Sequence, residues 1–445
     1  MASTDWISEL PDSMLHHIMS FMKARAAVRT CVLSKRWRRL WASLQRLHFD
    51  FAELEIIQKL CWNRKELVRI YSEFISRMLQ ERESIDVHTF DVQNFYKFPD
   101  ADDEREWEWI SYAVNHKARV IHFATIYEWG NLPQSIYTCS SLEELHVFVE
   151  DPYPMIHPSS VSLPRLRSLD LSCVDHHFLK LILVQCPALE SLDLAYCSGI
   201  DLRGIPFQKL RKLTVSCCTV LSAAGKLSLP SLESFYFEGS MSTLRDMGIE
   251  SMPSLTYAYA YFYEEVYEET DASFNNDNSK ILNALTNASK LEFYGFEAAD
   301  LLHKDLQKCP TFFNLAELSI NGCATCHSDM IARMLESSPY LQKLTISHNE
   351  SHKVLNRERT AIKGAFLKSM YLDTIEIKVW RDYSTVKPLI EELADSLEGR
   401  SKLFNIILII HKYADGPIID EDFNTLCSSL AQQNPQIKLS YKLIT

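Results

Sequence analysis

The chain has 445 residues, 47% of them hydrophobic and 23% charged, which is the composition of ordinary folded protein and is too long for a single compact core, so several domains or a repeat array are expected. Its net charge of -12 is unevenly spread: residues 1–50 carry eight basic against four acidic residues, leaving 38 against 54 in the remainder. An acidic body excludes nucleic acid as the main partner, since that binding rests on neutralising phosphates, and only 11 glycines argue against Gly-rich phosphate loops.

Taken in chain order, the N-terminus Met1 to Trp6 shows no basic segment followed by an apolar stretch, so no secretory leader is expected. From Leu10 to Met22 apolar side chains recur at three- and four-residue steps, the pattern of an amphipathic helix, with Pro11 and Asp12 suited to its first turn. A second short helix is expected over Ala24 to Val32. A third is expected behind Ser34 as its N-cap, carrying Trp37, Leu40, Trp41 and Leu44. Three such helices bury little surface alone, so the module is expected to complete its core against a partner.

These residues carry a resemblance. Trp6-Ile7-Ser8-Glu9-Leu10-Pro11-Asp12, then Leu15-x-x-Ile18-x-x-Phe21, then Val28 through Trp41 resemble an F-box in the form that plants pair with leucine-rich repeats. The resemblance implies docking on a Skp-type adaptor and, through it, on cullin and RING subunits. Carried over by motif, the adaptor-facing or adaptor-supporting positions are Leu10, Pro11, Leu15, Ile18, Val32, Ser34, Trp37, Leu40 and Trp41, some of them simply internal core. Met14, Met22 and Ala26 depart from the family's usual residues.

Residues 51–115 read as a linker and atypical cap, with helical spacing over Glu66 to Gln80 and Trp107 to Val114 and a strand-like run from Ile85 to Val92. Beyond them L-x-x-L-x-L, or a close apolar version, begins at Leu142, Leu166, Leu189, Leu210, Leu232 and Leu255, at intervals of 21 to 24 residues. Weaker copies follow at Leu291, Leu315, Leu341, Leu372 and Leu403. That period is the signature of a leucine-rich repeat, in which the second Leu and its i+2 neighbour point inward from a short strand and the residues between them point outward. The polar stretch 261–280 reads as a loop inserted between repeats. Phe313-Asn314-Leu315, Ser338-Pro339 with Leu341 to Ile346, and Phe366 to Met370 with Ile375 to Ile377 are similar to the FBD-like region of plant F-box proteins.

The expected fold is α/β: an N-terminal three-helix F-box (5–50), the linker and cap (51–115), a curved leucine-rich-repeat solenoid with a parallel sheet on its concave face (116–350), and FBD-like C-terminal repeats and cap (351–445). Outward strand residues are the candidates for holding a protein substrate: Asp170, Asp193, Thr214, Tyr236, Tyr257 and Tyr259. Tyrosines suit such a face because they present large, rigid, amphipathic area.

Catalytic signals are absent from the sequence. There is no Walker loop, G-x-S-x-G elbow or H-E-x-x-H string. Cys323-Ala324-Thr325-Cys326-His327 matches a haem-attachment string but falls in a repeat turn, and as a zinc site it lacks a fourth ligand. No metal and no cofactor are expected. Twelve cysteines lack framework spacing and read as buried small hydrophobes. The longest apolar run, around Ile406 to Ile410, is far short of the ~20 residues of a membrane helix, so no membrane partner is expected. The resemblance therefore implies a non-catalytic substrate-recognition subunit of a ubiquitin ligase, in the cytoplasm and/or nucleus, whose protein substrate is unidentified. The alternative is an F-box/leucine-rich-repeat scaffold without a role in degradation.

Overall fold

The computed structural model describes residues 7, 9–54, 64–95, 105–125, 132–148, 157–221, 225–263, 281–294, 309–322, 328–348, 370–379, 404–411, 432 and 437–444. The chain divides into two compact units, Met1–Leu210 and Arg211–Thr445.

The first unit begins with the helical head. Helix Asp12–Met19 buries Leu15 and Met19, and helix Ala24–Arg29 continues into a 3-10 turn over Thr30–Val32, as the spacing predicts. The third helix is different. Residues 35–39 form turns and only Leu40–Ser43 is helical, as a single 3-10 turn, so Ser34 caps no helix. The chain winds there through i→i+3 bonds such as Trp37 N to Ser34 O at 3.2 Å and Ala42 N to Arg39 O at 3.0 Å. The Arg36 guanidinium is drawn back to the Asp12 carboxylate and the Leu10 carbonyl, and the Trp41 indole donates to Arg38 O at 3.1 Å. The tertiary anchoring of Arg36 and these local turn bonds outweigh the apolar period that suggests a regular helix.

After the head, β1 (Arg46–Asp50), β2 (Thr89–Phe95), β3 (Val120–Thr125), β4 (Glu144–Phe148), β5 (Ser168–Ser172) and β6 (Ser191–Ala195) form a parallel ladder paired in chain order. In the second unit come β7 (Lys212–Ser216), β8 (Leu227–Ser228), β9 (Ser234–Gly239), β10 (Ile249–Ser251), β11 (Tyr257–Phe262), β12 (Lys290–Tyr294), β13 (Glu317–Gly322), β14 (Lys343–His348), β15 (Thr374–Val379), β16 (Phe404–His411) and β17 (Ile437–Ile444). Nine of them run parallel in chain order, with β8 and β10 set aside as a separate two-stranded pair. The expected large parallel sheet of a leucine-rich-repeat region is present.

A backbone device sets the repeat frame. At successive strand entries among the described residues the carbonyl of the second residue in one copy accepts the amides of the second and third residues of the next: Glu143 O takes Arg167 N at 2.7 Å and Ser168 N at 3.1 Å, and Thr256 O takes Ser289 N at 2.9 Å and Lys290 N at 3.0 Å. The backbone groups at each strand entry are thereby satisfied. The same bond is made by Gln45 O and His88 O, so the repeat extends N-terminally to copies beginning at Leu44, Val87 and Ala118, all buried. The device also corrects one frame. The copy assigned to Leu291 begins at Ala288, and Leu291 is its fourth, inward residue.

Helices Arg64–Glu81 and Arg105–Asn115 occupy the returns between the first three strands. The first buries Leu67, Val68, Tyr71, Ile75, Met78 and Leu79, and the second buries Trp109, Ile110 and Ala113. Trp109 Nε1 donates to Ser76 Oγ at 2.9 Å across them. In the second unit Ala258 and Ala260 are buried between the larger inward residues Phe235 and Phe237 of β9 and Leu291 and Phe293 of β12. Small residues on one strand are thus matched by large ones on its neighbours. The described cysteines form no disulfide, and Cys139, Cys173, Cys186, Cys197 and Cys218 are buried. The 264–280 part of the inserted loop, the Cys323 to His327 string and most of the segment from Phe366 to Met370 lie outside the described residues. Among the described residues no helix is long and apolar enough to cross a membrane.

Candidate functional site

Three outward surfaces carry the chemistry expected of an interaction protein. The first is on the head. Because helix Asp12–Met19 turns Leu15 and Met19 inward, Met14 and Ile18 stand on its exposed side four residues apart, and Phe21 continues the stripe at 72% exposure. The end of the next turn exposes Val32 to 83%, with Leu33 beside it, and Ile7 is also exposed. The His17 ring meets Phe21 edge-on at 5.0 Å. Exposed apolar side chains in this number on so small a module are the kind of surface that suits protein docking.

The motif-derived positions divide accordingly. Pro11, Ile18, Val32 and Ser34 are exposed, Leu10 and Trp41 are half-buried, and Leu15, Trp37 and Leu40 are buried core. Motif reasoning left out Met14, Phe21, Leu33 and Ile7. The heptad-like step from Met14 through Ile18 to Phe21 carried that signal.

The head is fastened to the first strand by buried Asp50. Its carboxylate accepts from Lys23 Nζ at 2.7 Å, Asn94 Nδ2 at 2.8 Å and Ala52 N at 2.9 Å. Burial pushes the Asp50 carboxyl upward, but those three donors together hold it below the usual carboxylate range. The matching pressure on Lys23 is upward, from the same hydrogen bond.

The second surface is the outward row of the first ladder. Register aligns His48, Asp91, His122, His146, Asp170 and Asp193 on β1 through β6. The hydrogen bond to Asp91 raises the His48 imidazole above its ordinary value, against burial. His122 goes the other way: burial, then the neighbouring His146, lowers it. His146 Nδ1 meets Asp170 Oδ2 at 3.4 Å, and the two imidazoles lie edge to face at 4.2 Å. Glu144, one row earlier, brings Oε2 to 4.0 Å from His122 Nε2 and 3.9 Å from His146 Nε2.

The third surface is aromatic. Tyr236 lies 5.2 Å from Tyr257 and 6.2 Å from Tyr259, and Tyr259 lies 5.0 Å from Tyr294. Lys212 stands 5.6 Å over the Tyr236 ring and Lys290 5.4 Å over Tyr257, with Lys290 Nζ also 2.7 Å from Glu292. Burial, then the Glu292 carboxylate, pushes the Tyr257 phenol upward, and burial, then Tyr294, does the same to Tyr259. Both are therefore neutral hydroxyl donors. The six residues expected to hold substrate thus fall into two groups: Asp170 and Asp193 side by side in the first unit, and Tyr236, Tyr257 and Tyr259 together in the second with Thr214 beside Tyr236 in register. Tyr294, Lys290 and Glu292 escape the sequence pattern because their copy begins at Ala288 and not at Leu291, whereas Lys212 sits in the correctly framed copy at Leu210 and carries no signal beyond a charged outward position.

Comparison with known proteins gives these surfaces a context. Residues 7–49 match the F-box domain family profile, and residues 108–258 match the profile described as FBD-associated F-box protein At5g56370, LRR repeats. Similar curated proteins come from Arabidopsis thaliana. Putative F-box/LRR-repeat protein At3g42770 is 25% identical over 76% of this chain and 64% of its own length, so the chain spans under two thirds of that relative. F-box/FBD/LRR-repeat protein At1g78750 is 23% identical over 84% of this chain and 83% of its own length. F-box/LRR-repeat protein 13 is 30% identical over 47% of this chain and 46% of its own length.

Proposed function

The chain is an F-box/leucine-rich-repeat protein, of the domain make-up typical of interaction adaptors in ubiquitin ligases, and from that premise we propose that it is the substrate-recognition subunit of a Skp/cullin/F-box ligase. The head docks on a Skp-type adaptor, which links it to cullin and RING subunits. The outward strand faces hold the protein to be ubiquitinated, in the cytoplasm and/or nucleus. The chain carries no reaction of its own; its contribution is to hold target lysines at high effective concentration near the charged conjugating enzyme.

The observation that carries this reading is the exposed apolar set Ile7, Met14, Ile18, Phe21, Val32 and Leu33 on a head whose own core is already closed by Leu15, Met19, Trp37 and Leu40. The test is co-purification of the full chain with a plant Skp-type adaptor, wild type against a Phe21→Asp, Val32→Asp double variant. Both sites are exposed, so the variant keeps its circular dichroism spectrum. Capture by wild type and loss in the variant support the docking. Failure of wild type to bind, or undiminished binding by the variant, removes it.

A further inference from the structure

Three ligand-competent side chains of the first ladder converge in a way the proposed adaptor role does not use. His122 on β3 and His146 on β4 are direct register partners, and Glu144 projects from β4 one outward row earlier. One ligand atom from each lies within 4.8 Å of the other two. The acceptor geometry is incomplete without a further group. The 3.9 and 4.0 Å separations from Glu144 Oε2 are too long for hydrogen bonds. His122 Nε2 is buried as an atom and has no hydrogen-bond partner among the described residues. An imidazole nitrogen withdrawn from water and left without a partner is costly unless something fills the space in front of it.

We propose that His122, Glu144 and His146 bind one divalent first-row transition-metal ion, zinc being the natural probe. Two imidazoles and one carboxylate form a common donor set for such ions. In a tetrahedral zinc site the ligand atoms stand roughly 3.3 to 3.6 Å apart. The two Glu144 separations therefore need to close by about half an ångström and the imidazole pair, within 4.8 Å, by up to about 1.5 Å, which small rotations of partly exposed side chains on a strand face supply. A supporting partner is in place as well. His146 directs Nδ1 toward Asp170, leaving Nε2 for the metal, the arrangement in which an outer carboxylate fixes the tautomer and orientation of a ligating histidine. Three protein ligands leave one position open to water, or to an imidazole, thiolate or carboxylate of a bound protein. The site thus offers this face a metal-mediated way of holding a partner. Sequence spacing hides it, because His122 lies in the copy at Ala118, which the leucine pattern misses, and meets Glu144 and His146 of the copy at Leu142 only when β3 is placed in the ladder.

The test is calorimetric titration of the full-length, chelator-stripped chain with zinc chloride, repeated with nickel chloride. Wild type is expected to show one saturable site per chain. His122→Ala and His146→Ala, and Glu144→Gln as the variant that preserves shape, are each expected to weaken it at least about tenfold. Asp170→Asn, which touches only the supporting carboxylate, is expected to weaken it by roughly tenfold. Circular dichroism confirms that each variant is folded. A Cys323→Ser, Cys326→Ser variant, which removes the other candidate donors, is expected to bind as wild type does. Absence of saturable binding to wild type overturns the proposal, and so does unchanged affinity in the His146→Ala and Glu144→Gln variants.

Discussion

The two ladders share one backbone frame and differ in what they show to solvent. From β1 to β6 the central outward row is His48, Asp91, His122, His146, Asp170 and Asp193. From β7 through β12 the corresponding row is Thr214, Tyr236, Tyr259 and Glu292, with Tyr257 and Lys290 alongside. Inward positions obey the same rule in both, since Leu169, Leu171, Leu192 and Leu194 are as buried as Phe235, Phe237, Leu291 and Phe293. Packing dictates the inward residues and leaves the outward ones free, so the same architecture presents an ionic, metal-competent face in one unit and an aromatic one in the other.

The largest expected effect tests the shared half of that comparison. Phe237 is buried and meets the Phe262 ring at 6.0 Å, and it stands next to Ala260 in register. Its direct register partner on β11, Ala260, is too small to fill the volume that would be left. Phe237→Ala is expected to cost about 3–5 kcal/mol, and Leu169→Ala in the first unit about 2–5 kcal/mol. Denaturant unfolding followed by circular dichroism reads both. A loss below about 1 kcal/mol at either position would mean that the interior of that unit is not the close-packed stack described.

The second effect is confined to the aromatic face. Tyr259 contacts the Tyr236 and Tyr294 rings but is only half-buried. Tyr259→Ala is therefore expected to cost about 1–2 kcal/mol in the same assay, one or two ring contacts' worth, while Tyr259→Phe costs less than half of that. Equal losses in the two variants would show that the hydroxyl, and not ring stacking, holds the cluster.

Much of this architecture is legible in the chain. The clean copies at Leu166 and Leu189 announce both the period and the inward positions, because an all-leucine strand has no other frame. The head's first two helices follow from their apolar spacing. What stayed hidden has a physical cause in each case. Copies at Leu44, Val87 and Ala118 escape the pattern because Val and Ala replace its first Leu in two of them and two long helices stretch the returns between them. At β12 the first position is Ala288, small enough that the eye moves on to Leu291. The third helix fails because Arg36 has tertiary partners in Asp12 and Leu10 that periodicity does not register. The site residues suffer from the same shifts. Tyr236, Tyr257 and Tyr259 are found where the frame is right, whereas Tyr294 and His122 lie in the copies whose frame was wrong or unseen.

The smallest effect belongs to the ionic face and is set by pH. His48 is raised by its hydrogen bond to Asp91 and by the more distant Asp50, with burial and Lys23 opposing. A group whose folded value is raised stabilises fully below its unfolded value, about 6.5 for histidine, and loses that contribution as pH rises through the folded value. The stability gap between wild type and His48→Gln is therefore expected to be widest below about pH 6.5 and to shrink above it. Its size is expected to be a few tenths to about 1 kcal/mol, because the imidazole is partly solvated and the pair is screened by salt. Asp50 has the opposite sign, its stabilisation present above the ordinary carboxylate range and lost as pH falls through its lowered folded value. The two titrations therefore separate on the pH axis. Thermal unfolding of both proteins between pH 5 and 9 reads the His48 difference. A gap that stays constant across that range would mean that Asp91 holds a neutral imidazole, and that the row from His48 to Asp193 is a hydrogen-bonded polar face with no charge at its first position.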